Sequence, residues 1–445
     1  MPSIMSTTLP LLSAASSDSW IAQWRGQAIS HRLFLRHVGN VASQLPATRF
    51  IFNLCEDRYL FLVAFAAVAV NGQSNLLPSS RASLHLRDLA QDYPDSQRIT
   101  DAEVESWLGS TVQADTATSL IPMLSAEQVV AITFTSGSTG RAKPHPKRWG
   151  ELIGGAGQTR RRFDLVPGMA MVATVPPQHM YGLETTIMTP LANGICIHAG
   201  RPFFPQDVHA ALESIPPPRI LVTTPVHLRA CVQSELRWPA MAFLISATAP
   251  LSATLAAQAE AAFEAPVREI YGCTEAGSIA SRRTLDGDLW RLYEGFHLQD
   301  GVLSGAHLPE PILLSDRIEN HDQSQFKLLG RFADLVNLAG KRTSLEYLNH
   351  QLNQITGVVE GIFWLPDEGE GENEIRRLMA AVVAPQVSER QLLAALAERI
   401  DPVFLPRPLL RVERLPRNET GKVTREALLA LATRSPPTTD NDHGV

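Results

Sequence analysis

The stretch Ala131-Ile-Thr-Phe-Thr-Ser-Gly-Ser-Thr-Gly-Arg-Ala-Lys-Pro144 constrains this chain more than any other. An uncharged, β-prone run from Val129 to Phe134 breaks into Thr135-Ser136-Gly137-Ser138-Thr139-Gly140, and Lys143 follows. A short buried strand that enters a Gly/Ser/Thr loop and then a lysine is suited to hold phosphates. Glycines let backbone N–H groups turn inward, hydroxyls add donors, and the ammonium supplies charge. The common P-loop is excluded, since it needs Gly directly before its Lys and Ser or Thr after it. Here Ala142 precedes Lys143 and Pro144 follows.

Around this stretch, strand-like and helix-like pieces alternate. Arg49 to Leu54 reads as a strand, Arg58 to Val70 as a buried helix, and Ala170 to Val175, Arg219 to His227 and Ala242 to Pro250 as strands ending in turns. That alternation predicts a parallel sheet covered on both faces. A chain of 445 residues predicts two or three domains. Net charge −6 gives no nucleic-acid footprint. Four scattered cysteines without metal spacing suit a reducing compartment, so a cytoplasmic location is expected. The longest apolar run, Leu60 to Val70, is too short to span a bilayer. Lysine occurs only as Lys143, Lys147, Lys327, Lys341 and Lys422, which raises the weight of each as a needed point charge.

Further motifs follow in order. Pro176-Pro-Gln-His-Met-Tyr-Gly182 closes one strand and Ser246-Ala247-Thr248 closes another. Tyr271-Gly272-Cys-Thr274-Glu275 offers a stacking ring, a hydroxyl for phosphate and a hard oxygen ligand for Mg²⁺. Asp316 ends Pro311-Ile-Leu-Leu-Ser, Arg331 lies in Leu329-Gly-Arg-Phe-Ala-Asp334, and Thr420-Gly421-Lys422 precedes Arg425. From Ser344 to Arg399 helix and strand patterns alternate as in a small α+β unit.

Taken together, Thr-Ser-Gly-Ser-Thr-Gly-x-x-Lys, Pro-x-x-His-x-x-Gly, Tyr-Gly-x-Thr-Glu and Thr-Gly-Lys resemble the motifs of the adenylate-forming superfamily: acyl-CoA synthetases, aryl-acid ligases, nonribosomal-peptide adenylation domains and luciferases. The resemblance covers roughly residues 125–430. It implies an α/β fold, with a large N-terminal adenylate-forming domain over 1–329 whose mixed and parallel sheets are sandwiched with helices. A hinge at 330–333, a small mobile α+β lid over 334–432 and a disordered tail from 433 would follow. It implies ATP and Mg²⁺, with Thr135 to Gly140 and Lys143 on the β- and γ-phosphates. Tyr271 and Gly272 would lie at the nucleotide, Thr274 at the α-phosphate, and Glu275 on Mg²⁺. Asp316 and Arg331 would hold the ribose, and Lys422 would bridge the attacking carboxylate and the α-phosphate. Gly340 would belong to a loop that enters the site for a second, thiol-dependent step. Ala333 stands where the family pivot carries Asp or Lys; Ala142 and Pro146-Lys147 are further departures.

The expected acid pocket comprises His179, Tyr181, Gly182, Thr224, His227, Ser246, Ala247 and Thr248. It is too polar for a fatty-acid tunnel and suits a small aryl acid with a ring hydroxyl. No acidic residue stands out as a partner for an amino-acid ammonium. The chain also resembles the aryl-acid ligases of aryl-polyene and xanthomonadin-type pigment clusters, which load hydroxybenzoates onto a carrier protein. The expected reaction is formation of an acyl-adenylate and transfer to a phosphopantetheine thiol of an acyl carrier protein acting in trans. Free coenzyme A is the alternative acceptor, and a non-catalytic adenylate-binding protein is the alternative of another class.

Overall fold

The computed structural model describes residues 7–12, 19–78, 81, 83–109, 120–136, 142–305, 307–331, 335–338, 341–365, 378–418 and 421–434. The chain divides into two compact units, residues 1–312 with 322–325, and residues 313–321 with 326–445.

In the first unit, five short strands lie parallel in one sheet: Ala170–Ala173, Cys196–His198, Arg219–Thr223, Phe243–Ser246 and Val267–Cys273. Trp20–Trp24 extends it in parallel beyond Cys196–His198, while Gly277–Arg283 turns back antiparallel on Val267–Cys273. A second sheet runs Ser96–Ile99, Phe50–Asn53, Ser74–Leu77, Val129–Ser136, Ala142–Arg148, parallel except for the last pair. The central strands Ala170–Ala173 and Phe243–Ser246 are buried at every position, as in a parallel sheet covered on both faces.

The helix Arg58–Val70 is buried on nearly every side. Its residues share one core with Ile21, Ala22 and Ile197 of the first sheet and Ile51, Leu77 and Val130 of the second, so it lies in the layer between them. Asp57 caps it by accepting from Tyr59 N and Leu60 N. Arg58 spends its guanidinium inside the fold, donating to Ala173 O at 3.0 Å, Val175 O at 2.8 Å and Thr186 Oγ1 at 2.5 Å. Burial pushes its pKa down to about 9. The bonds fix the end of the strand Ala170–Ala173 against the segment that follows. The strands expected through Val175, His227 and Pro250 are shorter, because Pro225 opens a helix, Pro225–Gln233, and Thr248 turns left-handed with φ 77°.

The second unit contains the hairpin Asp316–Asn320 with Gln325–Arg331, whose tip at 322–325 groups with the first unit. The expected domain boundary at 329 would cut through the second strand of that hairpin. Leu335–Leu338 and Lys341–Ser344 form another hairpin. A three-stranded sheet of Glu360–Trp364, Met379–Val383 and Leu409–Arg411 packs against the helices Leu345–Asn353 and Glu389–Ala397. Ser388 and Gln391 make a capping box on the latter helix. Residues 332 and 333 of the expected hinge (330–333) and residues 435–445 of the expected tail lie outside the described residues, while 433 and 434 end the helix Arg425–Arg434.

Among the described residues no helix is long and apolar enough to cross a membrane. All four cysteines are free thiols.

Candidate active site

The strand Val129–Ser136 and its antiparallel partner Ala142–Arg148 deliver the phosphate-loop ends side by side, with Thr135 opposite Lys143 and Ser136 opposite Ala142. Gly137, Ser138, Thr139 and Gly140 lie outside the described residues, as does the Ser136 side chain. Lys143 is exposed beside them. Alternation along Ala142–Arg148 turns His145 and Lys147 to one buried face. His145 Nε2 lies 2.9 Å from Thr135 Oγ1, and its Nδ1 lies 3.7 Å from Glu275 Oε1. Burial lowers the His145 pKa, so the ring is neutral near pH 7. Lys147 Nζ donates to Glu275 O at 2.6 Å. The strand that leaves the phosphate loop therefore also grips the residue expected to hold the metal.

Glu275 sits in the turn between Val267–Cys273 and Gly277–Arg283. Gly272 permits that turn: a Cβ there would run into Gly277 O. Tyr271 packs its ring on Trp290 at 5.8 Å. Among the described residues no three His, Cys, Asp or Glu side chains are grouped to enclose an ion. A single partly exposed carboxylate fits Mg²⁺ when nucleotide phosphates supply other oxygens.

The expected acid residues come from three strand ends. His179 precedes the short helix Met180–Leu183, where Gly182 is required because a Cβ would collide with Pro176 O. The Tyr181 hydroxyl donates to Thr223 O at 3.1 Å or Ile245 O at 3.3 Å, bracing two parallel strands. Thr224 and His227 engage each other, Oγ1 to Nδ1 at 3.0 Å, and Phe203 packs edge-on against the imidazole. Burial pushes His227 down to about 4. Ser246 Oγ and Thr248 Oγ1 are buried without a hydrogen-bond partner. Thr248 also carries the left-handed φ that a β-branched residue resists. A strained threonine and two orphaned hydroxyls, one on Ser246 and one on Thr248, are costly in a folded chain. Leu251, just beyond, is held by the buried Glu269, which accepts its N–H at 3.0 Å.

In the second unit, Asp316 and Arg331 stand directly opposite each other in the hairpin register. The Arg331 side chain and all of Gly340 lie outside the described residues. Lys422 sits on a pinned turn: its N–H donates to Asn418 Oδ1 at 2.9 Å, and Asn418 N returns a bond to Lys422 O at 2.9 Å. Gly421 takes φ 77°, and Arg417 donates to its carbonyl at 2.7 Å while ion-paired with Glu360.

Sequence reasoning missed a cavity in the first unit, with about 290 Å³ of empty space including open solvent. Lys147, Glu151, Glu184, Glu275 and His307 line it with Gly155 and Met180. Lys147 is 4% exposed and Glu184 2%. Glu184 lies two residues beyond Gly182 and lines this cavity. Its Oε2 accepts from Ser278 N at 2.8 Å and Ser278 Oγ at 2.9 Å. Burial raises the Glu184 pKa and lowers that of Lys147, and each softens the other's shift. Glu184 also begins a π-helical turn, Glu184–Met188, a distortion common at functional sites. Two signals were available: a lone carboxylate in the apolar run from Leu183 to Leu191, and a second lysine at i+4 from Lys143 in a lysine-poor chain.

Comparison with known proteins agrees with this geometry. The family model described as AMP-binding enzyme matches residues 37–295. The 4-coumarate–CoA ligase of Rhodobacter capsulatus is 27% identical over 325 residues, covering 68% of this chain and 83% of that protein. The 3,4-dihydroxybenzoate–[aryl-carrier protein] ligase of Bacillus anthracis is 20% identical over 317 residues, 68% of this chain and 74% of that one. A crystal structure of ATP-bound MatB from Rhodopseudomonas palustris superposes with a TM-score of 0.81 at 18% identity, over 94% of this chain and 97% of that one.

Proposed function

The chain belongs to the AMP-binding enzyme family, as an AMP-forming acid–thiol ligase, and from that premise we propose that its acid is a hydroxybenzoate-type aryl acid and its acceptor a carrier-protein thiol. The observation that carries the acid class is the cavity beside the Glu275 turn. A buried lysine and a buried glutamate line it. A long acyl chain would desolvate both charges without pairing them. The 20%-identical aryl-carrier-protein ligase supports the acceptor, and the resemblance to pigment-cluster ligases supports delivery to a carrier in such a pathway.

In the first half-reaction the acid's carboxylate oxygen attacks the α-phosphorus of ATP, the bond to the β-phosphate oxygen breaks, and pyrophosphate leaves. Positioning and electrostatics supply most of the catalysis. Ser136, Thr139 and Lys143 would hold the β- and γ-phosphates, Thr274 the α-phosphate, and Asp316 and Arg331 the ribose. Glu275 would hold Mg²⁺, which neutralises phosphate charge when bound. His145 and Lys147 keep Glu275 in place. Lys422 would bridge carboxylate and phosphate. In the second half-reaction a thiol attacks the acyl carbonyl and AMP leaves. Movement of the second unit about residues 330–333, bringing Gly340 inward, is the proposed change between steps.

The test is acid-dependent ATP–pyrophosphate exchange over hydroxybenzoates, cinnamates, fatty acids and amino acids, followed by product analysis with free coenzyme A or a holo carrier protein. Exchange confined to hydroxybenzoates with transfer to the carrier is expected. Preference for long-chain fatty acids refutes the acid class, and faster transfer to coenzyme A refutes the acceptor.

A further inference from the structure

Lys147 and Glu184 line one cavity, yet no ion pair within 4.0 Å joins them. Each has capacity left over. The Lys147 ammonium has three N–H donors and uses one, on Glu275 O at 2.6 Å. Glu184 takes both Ser278 bonds on Oε2, leaving Oε1 without one among the described residues. That oxygen lies 3.0 Å from where a Cβ on Gly155 would stand, so the glycine keeps the space before it clear. His307 borders the same space, 3.9 Å from that point through Nε2, and its Nδ1 is buried without a partner. An ammonium and a carboxylate, both desolvated and neither saturated, are costly unless something polar lies between them.

The chemistry of the gap selects that group. It must accept from the ammonium and donate to the carboxylate. A hydroxyl does both. A methyl ether accepts only, a second carboxylate is repelled by Glu184, and an amine is repelled by Lys147 when charged. We propose that Lys147 and Glu184 read a hydroxyl group on the acid substrate, Lys147 Nζ donating to its oxygen and Glu184 Oε1 accepting from its O–H. This rests on the acid-ligase reading above and assigns the specificity to two residues outside the expected acid pocket. Gly155 and Ser278 are positioning residues, one leaving room and the other orienting Glu184.

The experiment compares benzoates substituted at one ring position with hydroxyl, methoxy, amino or hydrogen, in ATP–pyrophosphate exchange by the full chain. Wild type, Glu184→Gln and Lys147→Met are assayed, with thermal melting to show that each is folded. For the best ring position, the hydroxy acid is expected to exceed the methoxy and unsubstituted acids by roughly 100-fold or more in kcat/KM, as when a buried polar pair loses its partner. Glu184→Gln keeps a carbonyl for Ser278 but offers the ligand an amide donor. It should lower the hydroxy-over-methoxy ratio at least about tenfold. Hydroxy, methoxy and unsubstituted acids exchanging within about threefold of one another in wild type would overturn the proposal, a bound water then being the group in the gap. A ratio unchanged in a folded Glu184→Gln also overturns it. Exchange confined to aliphatic acids removes the aryl reading instead, and the same comparison of hydroxylated with unhydroxylated aliphatic acids then decides for or against the pair.

Discussion

Replacing Lys147 by Met separates what the buried ammonium does for catalysis from what it costs the fold. Met keeps a flexible stem of similar length and removes the charge. The lost bond, Nζ to Glu275 O at 2.6 Å, is charge-assisted, a class worth about 1.5–3 kcal/mol. If that energy holds the turn only in its productive geometry, exchange falls by roughly 10- to 150-fold. Stability should not fall in parallel. Burial lowers the Lys147 pKa despite Glu151, Glu184 and Glu275 nearby, so at neutral pH the fold carries a penalty for the charged form. The unfolded chain binds the extra proton in the window between the lowered and the ordinary lysine pKa, and wild-type stability therefore rises with pH there. Met removes the penalty, so its melting temperature at pH 7 should equal or exceed that of wild type. Any such advantage should vanish above the ordinary lysine pKa. The assay is exchange with unsubstituted benzoate, which has no hydroxyl and so isolates the effect on Glu275, together with Mg²⁺ titration and melting from pH 7 to 11. Exchange within about twofold of wild type would show that the Glu275 turn does not depend on Lys147.

Lys422→Ala should lose roughly two to three decades of exchange rate, the scale for one preorganised charge-stabilising donor. Near wild-type pyrophosphate release would remove Lys422 from the chemistry. Acid stability offers a third check. Burial pushes His227 and His307 down to about 4. Their neutral forms stabilise the fold fully above the ordinary histidine pKa, and that contribution is lost as pH falls toward the lowered values, up to about 3 kcal/mol each. The unfolding midpoint in denaturant should fall steeply from pH 6.5 to 4 in wild type and less steeply in His307→Gln; equal slopes would show that His307 titrates freely in the native state.

The parts of this protein that were legible in its sequence are those in which local chemistry and fold demand the same residues. Val129 to Phe134 reads as a strand because it is uncharged and rich in β-branched residues, and the structure pairs it on both sides. Tyr-Gly-x-Thr-Glu could be read because a turn this tight needs its glycine, as the collision awaiting a Cβ at Gly272 shows. The backbone bonds of Tyr181 could not be read, for the converse reason. A phenol beside a histidine looks like a ligand contact, and only the parallel register of two distant strands reveals that their carbonyls take its proton. Lys147 and Glu184 were hidden more deeply. They are 37 positions apart in the chain, on a strand and a π-helical turn, and neither belongs to a motif. What joins them is burial, which no local pattern encodes. A buried lysine or glutamate alone would be selected against for its desolvation cost. Two of opposite sign around one cavity, each left partly unsatisfied, make sense if a third polar group completes them. The residues hardest to read in the sequence are therefore the ones on which the proposed choice of acid rests.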